Sequence, residues 1–134
     1  MKPLNRRHLI AHCTALFAIV STATFAATPL ELLTAYEQAS GQRADATAGK
    51  TFFNSKHGRE WSCATCHTAT PTTAGKHVTT AKPITPLAPS ADATRLTDGP
   101  KVEKWFRRNC NDVVGRECAA SEKANVLAWL ISIK

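Results

Sequence analysis

The sequence predicts an all-α domain of about four to five helices, closed around a bound group instead of around apolar side chains alone. Three observations carry that expectation. Helix start and stop signals recur along the chain while strand signals stay weak. The apolar stripes are short, so a conventional core would be thin. And Cys63-Ala64-Thr65-Cys66-His67 forms a single C-x-x-C-H motif. That spacing reads as a covalent c-type haem site, one haem c per chain, with both thiols adding to the porphyrin and His67 ligating the iron.

The 134 residues leave room for one domain. Lys2, Arg6 and Arg7 precede an apolar run from Leu9 to Val20, and Thr24-Phe25-Ala26 has the small residues of a cleavage site. Residues 1–26 therefore read as a secretory signal peptide, and residues 27–134 as the mature mono-haem domain. The apolar run is too short for a spanning helix, which needs about 20 residues. An uncleaved anchor is the alternative, and Arg6-Arg7 is compatible with twin-arginine export. Cleavage removes three Lys/Arg and no acid, so the formal charge of +7 becomes +4. That balance suits an acidic protein partner and is too mild and evenly spread for nucleic acid. Cys13 leaves with the signal. Of the four remaining cysteines, Cys110 and Cys118 lie outside the motif, and an exported compartment favours a disulfide between them over two thiols.

The first helix is expected over Pro29 to about Ser40. Thr28 and Glu31 form a capping box, Pro29 takes the first helical position and Gly41 supplies the stop. Leu33 and Tyr36 would face the core. A second helix should start after Asp45 as cap and run through Gly49 to about Phe53. Asn54 to Ser62 is polar and reads as a surface loop, with the haem motif following in a short helical turn. From Thr68 to Ser90, Pro71, Pro83, Pro86 and Pro89 exclude a long helix. This Pro-rich stretch is expected to wrap the cofactor, with Ile84 and Leu87 against the porphyrin and a backbone carbonyl accepting the second ring N–H of His67.

A third helix is expected from about Asp98 to Cys110. Val102, Trp105, Phe106 and Asn109 fall at i, i+3, i+4 and i+7, one helix face, with Lys101, Lys104 and Arg108 expected opposite. The last helix should begin around Ala119–Ser121, with Val126, Leu127, Leu130 and Ile131 as its stripe and Trp129 beside it.

Zinc is the competing reading of the motif, but a zinc site normally needs four protein ligands, and no second pair has matching spacing. Many small cytochromes complete the iron with methionine, and the sole methionine here is Met1. The sixth position is therefore empty or unusual. His57 and His77 would give a bis-histidine electron carrier, although each sits in a polar loop typical of solvated histidines. Cys110 is excluded if the disulfide forms, and most lysines should be hydrated. Asn109 is a neutral, weak donor on the inward helix face, where the alternative is a helix cap or a core amide bonded to backbone. The basic residues of the third helix are either a solvated face or a guide for an acidic redox partner.

The run Val102-Glu103-Lys104-Trp105-Phe106-Arg107-Arg108-Asn109-Cys110-Asn111, followed by Gly115-Arg116-Glu117-Cys118, is the most specific segment. With Pro86-Leu87-Ala88-Pro89-Ser90 and the haem motif, it resembles the sphaeroides haem protein (SHP) family of oxygen-binding, high-spin class I cytochromes c. The resemblance spans about Pro29 to Trp129. It implies a class I cytochrome c-like fold and a contact between terminal helices at Gly49, Phe53 and Trp129. It further implies that Asn109 is the distal ligand of ferric iron, leaving on reduction so that O2 or NO can bind. It implies a Cys110–Cys118 disulfide beside that asparagine, and electron exchange with a dihaem cytochrome c or a membrane cytochrome b. Against this electron-transfer and ligand-binding reading stand the bis-histidine carrier and a small haem reductase or peroxidase. The enzyme ranks last, because a dedicated reductase would be expected to carry a positioned acid or base, and only His57 and His77 titrate near neutrality without tuning.

Overall fold

A computed structural model describes residues 27–134. The expected signal peptide lies outside the described residues. Five helices form in the expected order: α1 (Pro29–Ser40), α2 (Ala46–Asn54), the short α3 (Cys63–His67), α4 (Gly99–Val113) and α5 (Ala120–Ser132). Their start signals work as the sequence suggests. Thr28 and Glu31 close a capping box at α1, and Gly41 ends that helix in the left-handed region at φ 67°. The Asp45 carboxylate accepts the backbone N–H groups of Thr47 and Ala48 at 2.7 and 3.1 Å, and Asp98 accepts that of Lys101 at 3.0 Å.

Helices α2 and α5 cross at backbone contact. A Cβ placed on Gly49 would lie 1.9 Å from the carbonyl oxygen of Asn125, so only glycine allows this approach. The Asn125 side chain in turn accepts the Asp45 N–H at 2.8 Å. One turn on, the rings of Phe53 and Trp129 meet at 4.9 Å. Around them Leu96, Val126, Leu127 and Leu130 complete the buried cluster, and Leu32, Leu33 and Tyr36 of α1 cover its edge. No residue of α1 is itself buried, so that helix is a lid over the core.

An ion-pair clamp ties α1 and α4 to α5. The Lys123 ammonium, on a residue only 9% exposed, donates to Glu103 at 2.6 Å, and the Tyr36 hydroxyl donates to the other Glu103 oxygen at 2.7 Å. The hydrogen bond from Lys123 and that from Tyr36 hold the Glu103 carboxyl below its usual range, against the opposing effect of burial.

Two elements differ from the sequence expectation. The Pro-rich stretch contains a two-residue antiparallel hairpin, β1 (Gly75–Lys76) paired with β2 (Pro83–Ile84). Strands this short show no alternation that a sequence pattern could reveal. And α4 runs three residues past Cys110. Val113 is buried there, and the Asn111 side chain donates back to the Arg107 carbonyl at 2.7 Å. The chain turns only at Gly115, at φ 80°.

Two tests follow from this packing. Gly49→Ala should lower stability by about 1–3 kcal/mol or more through overpacking at the crossing, read by thermal or denaturant unfolding. Glu103 has a depressed folded pKa, so its stabilisation is complete above the unfolded value of about 4.3 and is lost as pH falls through the folded one. Glu103→Gln should therefore flatten the acid limb of the stability–pH curve.

Candidate functional site

Cysteines three apart on one helical turn face the same side, and α3 provides that turn. Its start is fixed by Ser62 and Thr65, with the Ser62 N–H donating to the Thr65 hydroxyl at 3.0 Å. Its end is abrupt: Thr68 adopts φ 66° and ψ 156°, a region nearly confined to glycine that costs about 1–3 kcal/mol. This strained residue directly follows His67. Behind the turn, a Cβ on Gly75 would lie 2.0 Å from the Cys66 carbonyl oxygen. The hairpin thus rests on the backbone of the motif itself.

Burial pushes the Cys63 thiol up to about 11, keeping it protonated. Burial also lowers the pKa of His67, with the nearby Arg95 charge as a second cause. The imidazole is therefore neutral, the form that ligates a metal. Its Nδ1 is buried without a hydrogen-bond partner. This corrects the expectation that a loop carbonyl accepts from that ring. The buried loop carbonyl of Pro71 is already engaged by the N–H groups of Leu87 and Ala88 at 2.9 and 3.0 Å.

Above the motif lies a mostly apolar cavity of about 710 Å³. It brings together Cys63, Cys66, His67, Ile84, Leu87, Trp105 and Asn109, with Phe52 and Phe53 of α2 and Val126, Leu127 and Leu130 of α5. Phe53 is the link between core and site, its ring 6.2 Å from that of His67. Cys110 and Cys118 are joined in a disulfide with Cα atoms 5.7 Å apart, and both border the cavity directly beyond Asn109. Paired thiols on one side of a turn, a neutral imidazole with an orphaned nitrogen, and an apolar space left open in so small a core fit a tethered porphyrin.

Several other side chains fall differently from expectation. Lys101 and Arg108 are not opposite the inward face of α4; both border the cavity, while Lys104 does not. The reason is angular. Lys101 and Arg108 are four and three residues from Trp105, hence its neighbours on the helix surface. Trp105 is 46% exposed, with the Arg108 guanidinium 5.0 Å from its ring centre. The His57 ring bonds the Phe52 carbonyl at 2.8 Å, stacks on Phe52 at 4.2 Å and is absent from the cavity wall. His77 does line the wall, and its Nδ1 accepts the N–H groups of Thr79 and Thr80 at 3.3 and 3.1 Å. Arg95, which sequence reasoning passed over, borders the cavity as well. It sits in an irregular segment with no periodicity to mark it.

Helices packed around a cavity that opens on a C-x-x-C-H turn define a mono-haem cytochrome of the c type. Residues 39–130 match a family described as a domain of unknown function, DUF1924. The cytochrome c-type protein SHP of Cereibacter sphaeroides is 50% identical over 106 residues, 76% of this chain and 81% of that protein. Cytochrome c'' of Methylophilus methylotrophus is 48% identical over 90 residues, 64% of this chain and 62% of that protein. The solved structure of oxidized SHP, an oxygen-binding cytochrome c, superposes with a TM-score of 0.74 at 49% identity, covering 78% of this chain and 96% of SHP. Crystalline oxidized cytochrome c'' gives 0.70 at 40% identity, over 79% and 94% of the two chains. The chain belongs to the SHP family of c-type cytochromes, and its cofactor is haem c, attached through Cys63 and Cys66.

The disulfide closes a short loop, with a sequence separation of 8. Cys118→Ser should cost about 2–3 kcal/mol on the chain-entropy model, measured by denaturant unfolding under oxidising conditions.

Proposed function

We propose that this chain is an exported, periplasmic electron-transfer cytochrome that binds a small diatomic molecule, O2 or NO, when reduced. In this reading residues 1–26 are its cleaved signal, His67 is the proximal ligand and Asn109 the distal one. The observation that carries it is the placing of His67 and Asn109 in the wall of one cavity. The haem supplies a one-electron couple and a site for a small ligand. The chain holds it through Cys63 and Cys66, and Ile84, Leu87 and Trp105 exclude water from its faces.

A neutral amide is held by charge–dipole attraction, which is stronger toward ferric than toward ferrous iron. With haem held by Cys63, Cys66 and His67, reduction would weaken the hold on Asn109, and the side chain would give way to a diatomic ligand. Oxygen binding by the related SHP supports this reading. So does the haem-ligand detachment described for cytochrome c'' in solution, whose structure matches with a TM-score of 0.66 at 40% identity over 78% of this chain and 92% of that one. Lys101 and Arg108 at the cavity rim suit an acidic face on a redox partner, in this family's terms a dihaem cytochrome c or a membrane cytochrome b. Among the described residues no helix is long and apolar enough to cross a membrane.

A bis-histidine reading has one observation in its favour: His77 also borders the cavity. But with Nδ1 accepting two backbone N–H groups, the neutral ring carries its proton on Nε2. Ligation through Nε2 would require surrendering those loop bonds. Asn109 is bound by no such constraint.

Optical and spin-state spectra of the ferric and ferrous protein, with and without carbon monoxide, separate the two. The expected result is a high-spin ferrous protein that binds carbon monoxide, and an Asn109→Ala variant with an altered ferric spectrum. Low-spin spectra in both states, no carbon monoxide binding, and a change only in His77→Ala would overturn the Asn109 assignment.

A further inference from the structure

Arg95 lies between the wrapping loop and α4, in the wall of the cavity that His67 also lines. Its guanidinium is held from several directions. Nε donates to the Pro86 carbonyl at 2.7 Å, and one terminal nitrogen donates to the Thr85 carbonyl at 2.9 Å and to the Thr85 hydroxyl. The Asp92 carboxylate approaches Nε at 3.3 Å. The side chain is 25% exposed, yet these contacts fix the guanidinium at the wall. The backbone enforces this placement. Leu96 adopts φ 60°, an uncommon state for a branched side chain, and the Thr97 hydroxyl closes the turn on the Thr94 carbonyl at 2.8 Å. Leu96 is thereby packed into the core, 8% exposed, and borders the cavity beside Arg95.

We propose that Arg95 is a fixed positive charge that biases the iron toward its reduced state, and so sets how readily the distal ligand is released. This rests on the reading above that His67 ligates a haem iron. The ferric state carries one more positive charge than the ferrous, so a fixed cation in the same low-dielectric cavity penalises it. Bracing the loop alone calls for hydrogen-bond donors; it does not call for a permanent charge, which arginine keeps at every accessible pH. Asp92 opposes it, partly neutralising the guanidinium from the solvent side with a side chain 25% exposed. Lys82, Asp98, Lys101, Arg108 and Asp112 also border the cavity, but none of these three cations has a comparable set of carbonyl anchors; Arg108 stacks on Trp105 instead.

The test is the midpoint potential of the holoprotein. Arg95→Gln should lower the ferrous-to-ferric ratio at fixed poise by about tenfold, the order expected for one charge about 10 Å away at an effective dielectric near 20. For one electron that is a fall of about 59 mV. Arg95→Lys should stay closer to the parent, and Asp92→Asn should move the potential upward. The same shifts should persist in an Asn109→Ala background, so a failed Asn109 assignment would leave this result intact. A ferrous-to-ferric ratio unchanged within twofold in Arg95→Gln would overturn the proposal, and faster proteolysis between Thr68 and Ser90 in that variant would make Arg95 only a loop brace. If Arg95→Gln does not accumulate with haem, Asp92→Asn decides alone: an unchanged or lowered potential refutes the idea.

Discussion

The closeness of α2 and α5 at Gly49 is the constraint on which the remaining architecture depends. With no side chain between the two backbones, Phe53 and Trp129 meet one turn further along. Phe53 then reaches the His67 ring, and α5 directs Val126, Leu127 and Leu130 toward the cavity. A methyl group at the crossing would push the helices apart and move the support of His67 with them. The fold thus converts one backbone contact into the position of the motif histidine.

The cavity itself follows from a core that its own side chains do not close. The buried apolar residues concentrate where α2 meets α5, while α4, α3 and the wrapping loop stand back around open space. Strain is found along the same border. Thr68 follows His67 and Leu96 follows Arg95, each with a positive φ. Non-glycine residues hold such conformations only when the surrounding contacts over-determine them. Here the compensating contacts are the Thr68 hydroxyl on the Thr70 carbonyl at 2.8 Å, and the burial of Leu96.

Much of this was legible in the sequence because it is local. Thr28, Asp45 and Asp98 announce helix starts by side chains that cap them, and the C-x-x-C-H turn names its chemistry by spacing. The inward positions of α4 and α5 follow from helical periodicity. What was not legible depends on contacts across the chain. The two-residue hairpin exists because Gly75 lies on the Cys66 backbone, a relation no neighbour in sequence reveals. The length of α4 is set by the burial of Val113 near the disulfide. Lys101 and Arg108 stand beside the inward stripe and not opposite it, because each neighbours Trp105 on the helix surface, which puts them at the rim. Arg95 carries its meaning through carbonyls of the loop, ten and nine residues earlier, which periodicity does not register.

The Cys110–Cys118 bridge bears on time as well as on shape. Asn109 directly precedes a cysteine that is cross-linked to the entry of α5, on a helix that continues past it to Val113. Its backbone has no hinge on either side. Any change in what Asn109 contacts inside the cavity therefore falls to its own two side-chain torsions. Rotamer changes of exposed side chains take picoseconds to nanoseconds, while helix shifts need microseconds or longer. The contacts of Asn109 can thus change without a rearrangement of the helix that carries it.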